Sequence, residues 1–205
     1  MVLSMGSSSD KERDRWNQKY GEDAAQAKAN SAPDPFLVRT FSEYILPEFP
    51  HAGSALDVAG GAGRHAIWLA KQGWQVTIID ISETGIEQAR QNAGPLALHI
   101  HFVIDDLTRF NAAQMQFADA FDVVMVFFYL ERKIFPGILK WLRPGGLLIY
   151  KTYSSPPAAA GGPRNAEHLL KQGELLQLAS GLQILKYSEK VSEGSVAEMV
   201  AKRKI

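Results

Sequence analysis

The sequence predicts an α/β protein with a doubly wound, seven-stranded, mostly parallel sheet, an antiparallel C-terminal strand and helices on both faces. From Ser54 onward, short runs rich in β-branched residues alternate with helical patterns, as is typical of parallel strands joined by helices. Near the C-terminus, "LQILKYSEKV" and "SVAEMVAKRKI" are separated by only "SEG". This connection is too short for a parallel crossover, so the two runs are predicted to form an antiparallel hairpin if they pair with each other.

Two helices are predicted ahead of the first strand. "KERDRWNQKY" places Trp16 and Tyr20 four residues apart, on one helical face. In "SAPDPFLVRTFSEYILPEFP", Asp34 suits an N-cap and Pro35 suits the first turn. The predicted apolar face of this second helix consists of Leu37, Phe41, Tyr44 and Ile45, and the helix is expected to end at Pro47 and Pro50.

Five further strands are predicted, several of them apolar on both faces, as buried parallel strands are. They are "ALDVA", "WQVTIID", "LHIHFVID", "FDVVMVFFYL" and "GGLLIYKTY". Two helices between them are indicated by the apolar stripes Ala66, Leu69, Ala70 and Ile86, Ala89, Ala93, the first closed by Gly73 and the second capped by Ser82.

One domain is predicted over residues 1–205. It consists of an N-terminal helical cap (1–50), a ligand-binding core (54–153) and a final part (154–205) that holds a loop, a helix and the hairpin. The Pro/Ala/Gly-rich loop at 154–163 is either a plain linker or a lid over the site.

Composition limits the classes of ligand. The 205 residues are 46% hydrophobic, and 22 Lys and Arg balance 22 Asp and Glu, so no basic field favours nucleic acid or a membrane surface. The absence of cysteine excludes disulfides, thiolate zinc sites and a cysteine nucleophile. No signal peptide is apparent and the apolar run 123–130 is too short to span a bilayer. We therefore expect a cytoplasmic protein with a small-molecule partner, of open oligomeric state.

A glycine cluster follows the first core strand, in "LDVAGGAGRHAIWLAKQGWQVTIIDIS" (56–82). "GAGRHA" fits the loose dinucleotide fingerprint, and Asp80 follows at the interval expected for a ligand of ribose hydroxyls. Asp57, just ahead of the glycines, would repel a diphosphate but would suit a cationic ligand. A dehydrogenase of this design also usually has a further substrate domain, whereas here one sheet takes up the chain.

Five motifs in order resemble those of class I S-adenosylmethionine-dependent methyltransferases. They are "LDVAGGAGRHA", "VTIIDIS", "HFVIDDLTRF", "FDVVMVFFYLER" and "LRPGGLLIYKTY". One departure is Ala59, which stands where a glycine is usual. The resemblance implies a Rossmann-like methyltransferase fold and S-adenosylmethionine as cofactor. "RWNQKY", "PDPFL", "YLER" and "EHLLKQGELLQL" are in turn similar to segments of the small tellurite-resistance-type methyltransferases.

The resemblance also implies roles for individual residues. Asp80 would bind the ribose, Ile81 and Leu107 would lie against the adenine, and Asp106 would meet the adenine amino group. The predicted cofactor-binding residues are Trp16, Tyr20, Asp57, Ala59, Gly60, Gly61, Gly63, Arg64, Asp80, Ile81, Asp106, Leu107 and Phe127.

Methyl transfer from a sulfonium needs an in-line nucleophile in an oriented site, and aromatic faces beside the sulfonium assist it. The aromatic candidates are Trp16, Tyr20, Phe127, Phe128 and Tyr129. Each has a structural alternative. Phe127 and Phe128 are expected to alternate faces, with at least one in the core, and Trp16 and Tyr20 either cover the cofactor or only pack together.

Tyr129, Arg132 and His168 are the predicted substrate-binding residues. Arg132 suits an anionic acceptor but is equally typical of a surface arginine, and a lone histidine such as His168 more often has no chemical role. His99 and His101 have a metal-chelating spacing, yet no third ligand is evident, so no metal is predicted. No catalytic residue is assigned, and no nucleophile elbow occurs.

The functional prediction is a methyltransferase for a small-molecule acceptor, such as a thiol or a soft oxyanion like tellurite. The alternatives are an NAD(P)-dependent oxidoreductase and a non-catalytic S-adenosylmethionine-binding protein.

Overall fold

The computed structural model describes residues 8–22, 32–109, 117–156, 162–190 and 195–205. Its strands are β1 (Ser54–Val58), β2 (Gln75–Asp80), β3 (Ile100–Ile104), β4 (Phe121–Phe127), β5 (Leu142–Tyr153), β6 (Gln183–Glu189) and β7 (Val196–Lys202). They form one sheet in the order β3-β2-β1-β4-β5-β7-β6. The first five strands are parallel, and β7 runs antiparallel between β5 and β6. The predicted fold class is therefore confirmed, and the hairpin turn "SEG" lies outside the described residues.

Helices cover both faces of the sheet. They are α1 (Ser8–Glu22), α2 (Pro35–Thr40), α3 (Arg64–Lys71), α4 (Glu83–Ala93), α5 (Phe135–Trp141) and α6 (Glu174–Leu178). The apolar residues of α2, α3 and α4 pack on one face, and those of α5 and α6 pack on the other. We call these the α3 face and the α5 face. The helix α1 packs against α4, and none of the described helices is long and apolar enough to span a membrane.

Local signals set the helix starts as predicted. The Asp34 carboxylate accepts the Phe36 N–H at 2.8 Å at the start of α2. Ser82 accepts the Gly85 N–H at 3.0 Å at the start of α4. These bonds satisfy N–H groups that have no partner within the helix.

Of the two prolines expected to end the second helix, Pro47 does not end it, whereas Pro50 lies just beyond the helix end at Glu48. After α2 the chain continues through a π-helical turn (Phe41–Ile45) and a last helical turn (Leu46–Glu48) that contains Pro47. In the π-helical turn the Leu46 N–H donates to the Phe41 carbonyl, five residues back. This wider turn accommodates a proline, which has no N–H to donate.

The central strands are buried on both faces, which places their carboxyl ends beside one another. All seven residues of β4 are buried. Val123, Met125 and Phe127 point to the α3 face, whereas Val124 and Val126 point to the α5 face. Because β1 and β4 are neighbours whose chains continue to opposite sides of the sheet, a crevice opens at their carboxyl ends, where ligands bind in such folds.

Candidate cofactor and acceptor site

The loop between β1 and α3 turns sharply at the carboxyl edge. Three of its residues have a positive φ: Ala59 (54°), Gly61 (53°) and Gly63 (80°). Ala59 thus adopts the left-handed conformation that favours glycine, and its small side chain keeps the turn. A Cβ on Gly60 would lie 2.8 Å from the Asp57 carboxyl carbon, so the glycine allows the loop to pack directly against that carboxylate.

Asp57 is a buried acid at the base of this loop, with 1% of its surface exposed. Its Oδ2 accepts the Ala66 N–H at 3.2 Å. Burial raises the pKa of Asp57 to about 7, and nearby Asp80 adds to this, although the Ala66 N–H and Arg64 oppose it. A group in this state favours a proton or a cationic ligand beside it.

Asp80, at the end of β2, is held by two backbone N–H groups. Its Oδ2 accepts the Gly61 N–H and its Oδ1 accepts the Ser82 N–H, each at 2.8 Å. Burial raises the pKa of Asp80, while these bonds oppose the shift. The carboxylate is therefore fixed in one orientation toward the glycine loop.

The helix α1 covers this loop. A Cβ on Gly61 would overlap the Tyr20 hydroxyl, and the Tyr20 ring also lies against Gly85. The rings of Trp16 and Tyr20 are 6.0 Å apart. Asn17 Oδ1 accepts hydrogen bonds from Ser82 Oγ at 2.7 Å and the Thr84 N–H at 3.2 Å. Trp16 and Tyr20 thus share one face, as predicted, and the Tyr20 side of that face covers the glycine loop.

The residues predicted to surround the adenine follow β2 and β3. Ile81 is half-buried, and Leu107 is buried within the core of the α5 face. Asp106 accepts hydrogen bonds from Thr108 and from the Ser9 hydroxyl of α1. Burial raises the pKa of Asp106, but these bonds and Arg109 outweigh it, so the pKa lies below the usual value.

The end of β4 departs from the expected alternation. Phe127 is buried on the α3 face, where its ring lies 4.1 Å from the ring of His65. Phe128 packs against the same face, so the prediction that these two residues alternate is wrong. The reason is the φ of +57° at Phe128, which reverses the side-chain direction. Tyr129 then points to the α5 face.

A cavity of about 290 Å³ lies next to Tyr129, lined by Leu130, Glu131, Arg132, Glu167 and His168. It brings the predicted substrate residues Arg132 and His168 together, and neither Asp57 nor Asp80 lines it. Burial raises the pKa of Tyr129, and the carboxylates of Glu131 and Asp106 add to the shift. The phenol therefore stays protonated.

Arg132 already has partners. Its guanidinium bonds both carboxylate oxygens of Glu174, at 2.6 and 2.9 Å, and donates to the carbonyls of Glu167 and Leu169. An anionic ligand would have to displace Glu174, and the substrate role of Arg132 stays a prediction.

No group of three metal-ligating side chains occurs among the described residues. His99 is hydrogen-bonded to Gln75 at 2.9 Å. The predicted lid lies partly outside the described residues, in 157–161; at its start Ser154 pairs with Leu170.

Sequence reasoning missed Tyr150, Lys151, Ser9 and Asn17. The Tyr150 hydroxyl donates to the Tyr129 carbonyl at 2.9 Å. The Lys151 ammonium lies 3.0 Å from Asp34 and 3.1 Å from Glu198. For the contacts of Lys151 with Asp34 and Glu198, the sequence signal was a single lysine inside the apolar run "LLIYKTY".

The chain is similar to known methyltransferases in sequence and in fold. Residues 55–146 match a family of methyltransferase domains. The putative methyltransferase YqeM of Bacillus subtilis is 30% identical over 124 residues, which are 56% of this chain and 48% of the relative. Thiopurine S-methyltransferase of Legionella pneumophila is 24% identical over 87% of this chain and 86% of the relative. The chain spans about half the length of the first curated relatives it matches.

The fold is shared with a solved structure. TehB from Haemophilus influenzae superposes with a TM-score of 0.70 at 19% identity, over 87% of this chain and 65% of that one. At this identity the likeness is one of fold.

Proposed function

We propose, from the premise that residues 55–146 match a family of methyltransferase domains, that this chain is a class I S-adenosylmethionine-dependent methyltransferase of a small organic acceptor, with a thiol favoured over an oxyanion. The observation that carries the proposal is the pair of buried carboxylates, Asp57 and Asp80, beside the glycine loop. Asp80 suits a ribose, and Asp57 suits an ammonium and would repel the diphosphate of a nicotinamide dinucleotide.

The side chains at the carboxyl edge fit S-adenosylmethionine, the cofactor of this domain. Asp80 would accept the ribose hydroxyls, and Asp57 would pair with the ammonium of the methionine end. The remaining predicted contacts are those of the loop residues Ala59, Gly60, Gly61, Gly63 and Arg64, of Ile81, Asp106 and Leu107 at the adenine, of Trp16 and Tyr20 above the loop, and of Phe127.

S-adenosylmethionine supplies an activated methyl group when bound. The chain's own residues then have to orient the acceptor and exclude water. The Tyr129 hydroxyl is a poor base, since its raised pKa keeps it protonated. His168, Glu131 and Glu167 of the cavity could accept a proton, but a thiolate acceptor needs none of them because it brings its own lone pair.

The charges at the acceptor side favour a thiol. Arg132 is neutralised by Glu174, and Lys151 is neutralised by Asp34 and Glu198. A hydrated oxyanion would have to compete with these carboxylates for both cations, which offsets part of the gain from binding them. The name of the Legionella relative, a thiopurine S-methyltransferase, supports the same acceptor class.

Thermal melting with candidate ligands tests the cofactor. S-adenosylmethionine and S-adenosylhomocysteine should raise the melting temperature, because a ligand of the native state stabilises it by RT ln(1 + [L]/Kd). NAD and NADP should leave it unchanged. A shift with NAD alone would reject the proposal in favour of an oxidoreductase.

A methyl-transfer assay then compares a panel of thiols with tellurite. Transfer to thiols, with little to tellurite, is expected. Transfer to tellurite alone would reverse the acceptor assignment, and cofactor binding without transfer to any acceptor would indicate a non-catalytic binding protein.

A further inference from the structure

Phe128 and Tyr129 form a strained turn at the carboxyl end of β4, which we call the 128–129 turn. Phe128 has a φ of +57°, a conformation that costs free energy for any residue with a Cβ. Such conformations persist only where surrounding contacts impose them. The contacts that impose this one come from two adjacent residues of β5.

Lys151 holds the turn from the α3 face. The Phe128 N–H donates to the Lys151 carbonyl at 2.7 Å, and the Lys151 ammonium lies 5.6 Å from the centre of the Phe128 ring. That ammonium is itself fixed between Asp34 and Glu198. Tyr153 completes this side, with its ring 5.0 Å from that of Phe128.

Tyr150 holds the turn from the α5 face. Its hydroxyl donates to the Tyr129 carbonyl at 2.9 Å. The Tyr150 side chain is fully buried, and its ring stacks on Phe135 at 5.3 Å. Successive residues of a strand point to opposite faces. Tyr150 and Lys151 therefore contact the turn from opposite faces of the sheet.

The turn lies between residues assigned to the proposed cofactor site and residues that line the cavity. Phe128 and Tyr129 are both half-buried, so each ring keeps an accessible surface at the carboxyl edge. Arg64 of the glycine loop lies 5.9 Å from the Phe128 ring, and Leu130 begins the lining of the cavity. The turn therefore joins the proposed cofactor site to the proposed acceptor cavity.

We infer that Tyr150 and Lys151 are positioning residues for methyl transfer, which hold Phe128 in its left-handed conformation so that the rings of the 128–129 turn stay between the proposed cofactor site and the cavity. The inference rests on the proposed function for its catalytic consequence. Its structural part, the imposed φ at residue 128, is independent of any activity.

Tyr150→Phe tests the inference, because it removes one hydroxyl and leaves the ring in place. We expect kcat to fall on the order of tenfold as Phe128 relaxes to a negative φ, while the Kd of S-adenosylhomocysteine stays unchanged. The matched control is Tyr187→Phe, which removes a hydroxyl bonded to Glu189 on β6. It should leave kcat unchanged.

Glycine at position 128 distinguishes positioning from a general loss of structure. Glycine adopts a φ near +57° without contacts that impose it. Tyr129 should therefore stay in place without the Tyr150 hydroxyl. The loss of kcat caused by Tyr150→Phe should therefore shrink to less than about twofold in a Phe128→Gly background. An equal loss in both backgrounds would overturn the inference.

The imposed φ at residue 128 can also be tested without an activity assay and without a Tyr150 variant. The two measurements are the stability of Phe128 variants and a crystal structure of the wild type. Phe128→Gly and Phe128→Ala lose the same ring, but only alanine bears the cost of the left-handed conformation. The unfolding equilibrium constant of the alanine variant should thus be about threefold or more larger. Equal stability of the two variants, or a crystal structure of the wild type with a negative φ at residue 128, would reject the inferred role of Tyr150 and Lys151. Failure of the wild type to transfer methyl to any acceptor would instead reject the proposed function alone.

Discussion

At the scale of single residues, Asp57 connects the ionisation of the site with ligand binding. The carboxyl is buried, and burial raises its pKa from 3.8 to about 7 in the folded protein. Because the folded pKa exceeds the unfolded value, the ligand-free protein binds more protons and loses stability as the pH rises through this window. A cationic ligand reverses the preference, since it binds the ionised form.

Cofactor affinity should therefore rise with pH. We expect the Kd of S-adenosylhomocysteine to fall about tenfold between roughly pH 6 and 8, as the ionised fraction of Asp57 increases. Calorimetric titration at several pH values measures this dependence. Asp57→Asn should bind weakly with a flat profile, and an unchanged slope in that variant would assign the titration to another group, such as Asp80.

Residues with local signals were predictable, and residues that depend on distant partners were not. The caps at Asp34 and Ser82 follow from neighbours two or three positions away. The Glu174 partner of Arg132 lies 42 residues along the chain, so no local pattern indicates it. The left-handed Phe128 has no sequence signal either, because nothing in a phenylalanine marks a positive φ.

At the scale of elements, α1 is the segment whose contacts depend most on a few polar bonds. Its mean hydropathy is low, so apolar burial contributes little to its docking. Asn17 provides two of the hydrogen bonds that join α1 to the start of α4, and Gln88 of α4 donates to the Tyr20 carbonyl at 2.6 Å. Docking and release of α1 are thus controlled by a small number of side chains.

Asn17→Ala should speed the release of bound S-adenosylhomocysteine. Loss of two hydrogen bonds, each worth about 1 kcal/mol, would favour the undocked helix by on the order of tenfold or more. Stopped-flow displacement measures the release rate. The matched control is Gln18→Ala, on the exposed side of α1, where Gln18 donates a hydrogen bond to Glu22 of its own helix. Equal release rates in the two variants would contradict a covering role for α1.

The elements themselves were well predicted, because hydrophobic periodicity marks them. The exception is the π-helical turn of Phe41–Ile45, which depends on how the second helix packs against the sheet. Pro47, two residues after this turn, is typical of a helix end in sequence, whereas in the fold it lies in the last helical turn.

At the scale of the whole molecule, the carboxyl ends and the amino ends of the parallel strands have different roles. The proposed site occupies the carboxyl edge. At the opposite edge Asp122 accepts the Ser54 N–H at 2.8 Å and pairs with Arg143 at 3.0 Å, which ties β4 to the start of β1 and to β5. This cluster has no contact with the residues of the site.

Asp122→Ala should lower stability without changing catalysis. Loss of the buried Asp122 carboxylate leaves the half-buried Ser54 N–H and Arg143 without this partner, which predicts a cost of about 1–3 kcal/mol in the free energy of unfolding. Urea unfolding measures it, and kcat at a temperature well below the transition should remain within about twofold of the wild type. Glu87→Ala, which removes an exposed pair with Arg90, is the control and should change stability by less than about 0.5 kcal/mol. A large loss of kcat in Asp122→Ala would show that the two edges are coupled.

The position of β7 has a consequence for synthesis of the chain on the ribosome. The strand β7 lies between β5 and β6, although it follows both in sequence. A nascent chain therefore emerges with β6 before the strand that links it to the sheet exists, and the edge of β5 stays open in the meantime. Open strand edges pair readily with other chains. Slow translation between residues 153 and 196 should thus increase aggregation of this protein, and rapid synthesis of β7 should reduce it.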